Sequence, residues 1–149
     1  MRVWRLVGQP FAETAFDGEG AARYSGRWNS RGVRVVYTAD SLALATLELA
    51  VHLLGARVGY TAIEVEIPDT SIDDVTNRRM PRAWRSDEKL TRSLGDRWFR
   101  SSASLAYLVP SALVDTRSGE RNVLINATHP RTGEIVELQR FQITIDARL

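Results

Sequence analysis

Apolar and polar positions alternate over Met1–Val7, with Val3, Arg5 and Val7 on one side and Trp4 and Leu6 on the other. This period of two predicts a short strand. Val33–Thr38 (VRVVYT) is β-branched and predicts a second. From Ser41 to Ala56 the chain reads SLALATLELAVHLLGA, apolar on nearly every face, and predicts a buried helix. Asp40 or Thr38 can cap its start, and Gly55 is the natural stop. Tyr60–Ile67 (YTAIEVEI) alternates cleanly and predicts a strand ended by Pro68. Asp69–Asn77 is polar and turn-like. Pro81–Leu94 contains a helical stretch from Ser86, and Gly95–Ser104 starts a second short helix. Leu105–Val114 reads as a strand that lies at an edge or bends at Pro110, because proline lacks a ladder donor. Asn122–Asn126 and Ile135–Ile145 are the last two strands. Strands exceed helices and the order is mixed, which predicts an α+β fold rather than a doubly wound parallel sheet. No linker, repeat or low-complexity tract divides residues 1–149, so the reading is one domain.

The long interval Gly8–Gly32 carries five glycines and reads as a loop with one short turn of helix. A connection of this length is usually functional or disordered. Its second half, RYSGRWNSRG, argues against disorder.

The helix Ser41–Ala56 holds only two ionisable side chains, Glu48 and His52. A carboxylate is costly to bury without partners, so it pairs, lines a wet cleft or takes up a proton. The alternative is a carboxylate on a narrow solvent-facing stripe. At about 100° per residue, Ser41, Glu48 and His52 share a narrow arc with Ala45 beside them, which leaves room for a ligand.

Composition changes this picture little. The formal charge is +2, so the chain is no polycation. Lys89 is the only lysine among 20 basic residues. Arginine suits bidentate recognition of phosphate and carboxylate, although a genome rich in G and C gives the same bias. The absence of cysteine excludes disulfides and permits a cytoplasmic location. No apolar run reaches the roughly 20 residues of a membrane span, and MRVWRLVGQP lacks the pattern of a signal peptide.

Gly18–Gly32 gathers arginines, aromatics and glycines, the ingredients of a nucleotide site. It lacks both the Rossmann and the Walker A patterns, and a turn-rich surface loop is the plainer alternative. Ser111, just after Pro110, is rigidly placed to make one oriented hydrogen bond, catalytic or merely structural. No nucleophile elbow surrounds it. His52 and His129 lie far apart without ligand spacing, so no metal is expected.

Arg5, the GRWN element Gly26–Asn29, Tyr37, Leu47-Glu48, the VPS at Val109–Ser111 and Arg121–Pro130 (RNVLINATHP) together resemble the RES domain family. The likeness spans almost the whole chain, with Ala127 standing where the family usually has proline. It implies an α+β fold with a split central β-sheet and flanking helices, like that of ADP-ribosyltransferase toxins. It further implies a toxin of a bacterial toxin–antitoxin module that breaks the nicotinamide–ribose bond of NAD⁺ by hydrolysis or phosphorolysis. The implied partner is an Xre-family helix-turn-helix antitoxin, in a hetero-oligomer. NAD⁺ is substrate and inorganic phosphate a possible co-substrate. No resident cofactor, membrane or direct nucleic-acid contact is implied.

Carried over by motif, the catalytic group is Arg27, Tyr37, Glu48 and Ser111, with Arg5, Trp28, Asn29 and Ser41 expected at the substrate. Glu48 would stabilise the ribosyl cation and Arg27 the pyrophosphate. Tyr37 would pack on nicotinamide or ribose, Ser111 would orient the nicotinamide, and Arg5 would supply a second phosphate contact. Ser101, Ser102 and Ser104 compete with Ser111 for the family's serine role. Two alternatives remain: mono-ADP-ribosyl transfer to a protein, and a non-catalytic nucleotide- or nucleic-acid-binding module.

Overall fold

A computed structural model describes residues 1–53, 59–77, 80–146 and 148–149. Among these residues seven strands form one sheet. They are β1 (Arg2–Gly8), β2 (Val35–Ala39), β3 (Tyr60–Glu66), β4 (Ile72–Asp74), β5 (Ala106–Pro110), β6 (Arg121–Asn126) and β7 (Val136–Ile143). Their order is β4-β5-β6-β2-β1-β3-β7. Three helices flank it: α1 (Glu19–Tyr24), α2 (Leu42–Ala50) and α3 (Glu88–Ser101). Every neighbouring pair is antiparallel except β4 and β5. That parallel pair is joined through α3, as a parallel connection requires a crossover.

The sheet is split. β1 pairs with β3 along seven residues, whereas β1 meets β2 at the single pair Trp4↔Ala39. One half is therefore β4-β5-β6-β2 and the other β1-β3-β7, joined by one rung. Beyond it the strands part and leave room between them.

Packing explains why the halves stay together. Under α2, Leu44 and Ala45 pack with Ala39 of one half and Leu6 and Ala62 of the other. On the opposite face Val3, Ile63 and Val65 pack with Val36, Leu108, Val123 and Ile125. A third cluster, Trp28, Trp84, Trp98, Tyr107 and Leu124, fixes α3 and the GRWN segment to the larger half.

Several local readings change. The cap of α2 is Ser41, whose Oγ accepts from the Leu44 amide at 3.0 Å. Thr38 instead donates to the Val123 carbonyl, and Asp40 accepts from the Arg121 amide. α2 ends at Ala50, earlier than its apolar run, and the Gly55 stop lies outside the described residues. Ser86–Leu94 and Gly95–Ser104 form one helix, capped by Asp87. It runs through Gly95, and glycine stands there because a Cβ would sit 1.8 Å from the Trp28 carbonyl oxygen. β5 is not an edge strand, and Pro110 is its last residue. β4 was hidden in a polar stretch because three residues are too few to show a period.

Candidate active site

The gap between β1 and β2 opens into a cavity of about 1100 Å³. That exceeds the roughly 300–1,000 Å³ of ordinary small-molecule pockets. Its walls include Arg5 of β1, Tyr37 and Thr38 of β2, Glu48 of α2, Arg27, Arg92 of α3 and Asn122 of β6. Residues distant in sequence thus converge because the strands part beside the helix that follows β2.

Glu48 is half-buried in this wall. Its Oε1 accepts from Ser111 Oγ at 2.7 Å and from Asn122 Nδ2 at 2.6 Å. The two donors come from the end of β5 and the start of β6, so three elements fix one carboxylate oxygen. Ser111 is only 1% exposed and does not line the cavity. It stands behind Glu48 and also accepts from the Leu113 amide. Ser101 donates to the Trp98 carbonyl, while Ser104 is bonded to Trp98 Nε1 and the Ala106 carbonyl. Ser111 is therefore the serine that meets Glu48.

Gly26–Asn29 forms a tight turn closed by a bridge between its ends. Its two middle residues both border the cavity but differ in burial. Arg27 lines the cavity, donating to the Arg85 carbonyl at 3.0 Å with Glu88 at 4.0 Å. Trp28 also borders the cavity, although it is only 1% exposed and packs in the core against Trp84. Asn29 is wholly buried, and its Nδ2 donates to the carbonyls of Ala21, Ser30 and Val33. Asn29 does not line the cavity, nor does Ser41, which donates to Glu120 at 2.8 Å besides capping α2. Asn29 and Ser41 thus belong to the frame on which Arg27 and Glu48 stand, while Trp28 joins that frame to the cavity wall.

Tyr37 lines the cavity, but its hydroxyl is already engaged. It donates to Asn29 Oδ1 at 2.6 Å and accepts from the Trp28 amide at 3.0 Å. Burial pushes its pKa well above the tyrosine value, so the hydroxyl stays neutral. Arg5 reaches across the parted strands and donates to the Tyr37 carbonyl at 2.8 Å. Burial pushes Arg5 down to about 10, opposed by the nearby charge of Asp17, so it remains a cation at neutral pH.

Arg92 and Asn122 line the cavity without having been assigned a role from the sequence. Arg92 donates to the Gly26 carbonyl and to Glu88, steadying the turn that carries Arg27. The Glu88–Arg92 spacing of four was a legible helical ion pair. Asn122 stands in the Arg121–Pro130 element that carries the family likeness, but nothing in that element marked it as a partner of Glu48.

The chain matches the family model described as RES domain over residues 2–146. It is 36% identical over 133 residues to "Toxin Res" of Yersinia enterocolitica, covering 87% of this chain and 86% of that protein. It is 37% identical over 136 residues to "Prs ADP-ribosylating toxin" of Sphingobium sp. (strain YBL2), covering 85% and 83%. The fold resembles a chain in the crystal structure of the M. tuberculosis MbcT–MbcA toxin–antitoxin complex. The TM-score is 0.74, at 21% identity over 96% of this chain and 84% of that one. With a family match that runs from β1 past β7, the chain belongs to the RES domain family.

Proposed function

We propose that this protein is a toxin that cleaves the nicotinamide–ribose bond of NAD⁺. One observation carries the reading: a doubly hydrogen-bonded carboxylate, Glu48, shares a large cleft with the guanidinium groups of Arg5, Arg27 and Arg92. The arginines suit the pyrophosphate of a dinucleotide. Glu48 suits the sugar.

In the reaction the C1′–N bond breaks and its electron pair passes to the nicotinamide ring, which leaves neutral. Positive charge develops on the ribose. A fixed carboxylate beside it stabilises that charge more in the transition state than in the ground state, which is the condition for catalysis. Water or phosphate then bonds to C1′ and gives up a proton. Arg27, half-buried and braced by Arg85 and Glu88, would hold the pyrophosphate, with Arg5 as its second cation. Tyr37 would present its ring, since its hydroxyl is spent on the turn.

The name of the Sphingobium relative favours a second reading, transfer of ADP-ribose to a protein. Both readings share bond cleavage and differ in the acceptor. The resemblance to the MbcT–MbcA structure supports an antitoxin partner, of the Xre type by the family likeness. Among the described residues no helix is long and apolar enough to cross a membrane. The expected site of action is the cytoplasm, where NAD⁺ is abundant.

The test is a time course of NAD⁺ with the purified chain, with and without phosphate and with cell lysate, products resolved by mass. Free ADP-ribose or its phosphorylated form supports cleavage, and labelled protein supports transfer. Intact NAD⁺ under all conditions overturns both.

A further inference from the structure

We infer that Asn122 is a positioning residue that aims the Glu48 carboxylate. This rests on the reading of Glu48 as the group that meets the ribosyl cation.

The geometry is specific. Asn122 Nδ2 lies 2.6 Å from Glu48 Oε1, at the same oxygen that Ser111 bonds from the other strand. A carboxylate offers no hydrogen, so the amide must present its NH₂. Two donors on one oxygen fix the torsion of a side chain that otherwise rotates freely. The remaining oxygen is then held in one direction relative to the cleft.

The chemistry of the donor matters as much as its position. Both donors are neutral, so they orient the carboxylate without cancelling its charge. An arginine in the same place would form an ion pair and spend the negative charge that a ribosyl cation requires. Arg121 is the adjacent residue, and its guanidinium is turned to Asp40 and Asp74 at 3.6 and 3.5 Å. The strand therefore delivers an amide to Glu48 and a cation elsewhere.

The backbone of Asn122 is equally well placed. Asn122 pairs with Val109 of β5 on one side and with Ala39 of β2 on the other. Ala39 is also the partner of Trp4 in the single rung that joins the two sheet halves. The anchor of Glu48 thus stands on the row where the sheet is continuous, beside the place where it parts.

Positioning makes three demands on the chain. Asn122→Ala lowers kcat by about 10²-fold, the cost of a misplaced catalytic group, while KM for NAD⁺ stays within about twofold because uniform binding is untouched. Asn122→Asp keeps the shape, removes the donor and sets an acid against Glu48, so it loses at least as much and covers the case in which the alanine variant folds poorly. In a Glu48→Ala background, Asn122→Ala causes no further loss of the residual turnover. A parent-like kcat in both Asn122 variants overturns the inference. So does a loss that persists without Glu48, or one that falls on KM, because each points to direct contact with substrate. If Glu48→Ala itself turns over at the parent rate, the reading of the site fails first and the inference with it.

Discussion

Arg5 donates through Nη1 to the carbonyl oxygen of Tyr37 at 2.8 Å, so a side chain spans the space where β1 and β2 no longer pair. It replaces a missing rung and brings a cation to the wall of the cleft. Burial already lowers this guanidinium to about 10. Lysine starts at about 10.4 against 12.5 or more for arginine. The same burial brings an ammonium there much nearer neutrality. Arg5→Lys is expected to raise KM for NAD⁺ about tenfold, the worth of one charge-assisted bond. The defect should deepen between about pH 6 and pH 9 as the lysine loses its proton. Initial-rate measurements across that range check both statements.

Glu48→Gln keeps the size of the side chain and an oxygen for Ser111 and Asn122. The fold is expected to persist, with the far-ultraviolet spectrum unchanged. Turnover of NAD⁺ should fall by about 10²–10³, the usual cost of removing one electrostatic stabiliser. Parent-level consumption by this variant would remove Glu48 from the mechanism.

Tyr37→Phe leaves Asn29 Oδ1 and the Trp28 amide without their shared partner. The expected cost is about 1–3 kcal/mol, read by urea denaturation. The sign of the pH effect follows from the raised pKa. Above about pH 10 the unfolded chain releases the tyrosine proton, while the folded protein retains it. The stability this group contributes is complete below that pH and is lost as the pH climbs through the folded value. The alkaline decline in stability should be shallower in Tyr37→Phe than in the parent.

Gly95→Ala places a methyl group 1.8 Å from the Trp28 carbonyl oxygen. That neighbour is backbone and cannot rotate away. The loss should reach the upper end of the roughly 1–3 kcal/mol typical of overpacking. The displaced turn carries Arg27, so KM for NAD⁺ is expected to rise as the melting temperature drops. Alanine at Gly133, outside the cavity lining and where a Cβ meets nothing within 4 Å, is the control and should neither raise KM nor lower the melting temperature.

Period and propensity made the long strands legible, together with the apolar helix that carries Glu48. They did not reveal β4, whose three residues are held by pairing with β5 rather than by their own pattern. Gly95 read as a helix break because propensity penalises glycine there. Its reason is tertiary, the passage of the Trp28 backbone. In the site, Arg27 and Trp28 looked alike as neighbours in one motif. Which stays half-buried at the cleft and which packs its ring into the core depends on the fold around the Gly26–Asn29 bridge, a backbone fact absent from composition. The role of Asn122, though it lies in a motif of the family likeness, was missed for a related reason. A polar residue opening a strand is ordinary until the helix that covers it is known.

The single Trp4↔Ala39 rung has a further consequence for how this pocket can discriminate. The segment Phe11–Trp28 supplies much of the wall, and the rest includes the flank of two strands that each belong to a continuous ladder, so that side is set by hydrogen-bonded scaffolding. A recognition surface of that kind holds its shape before any guest arrives.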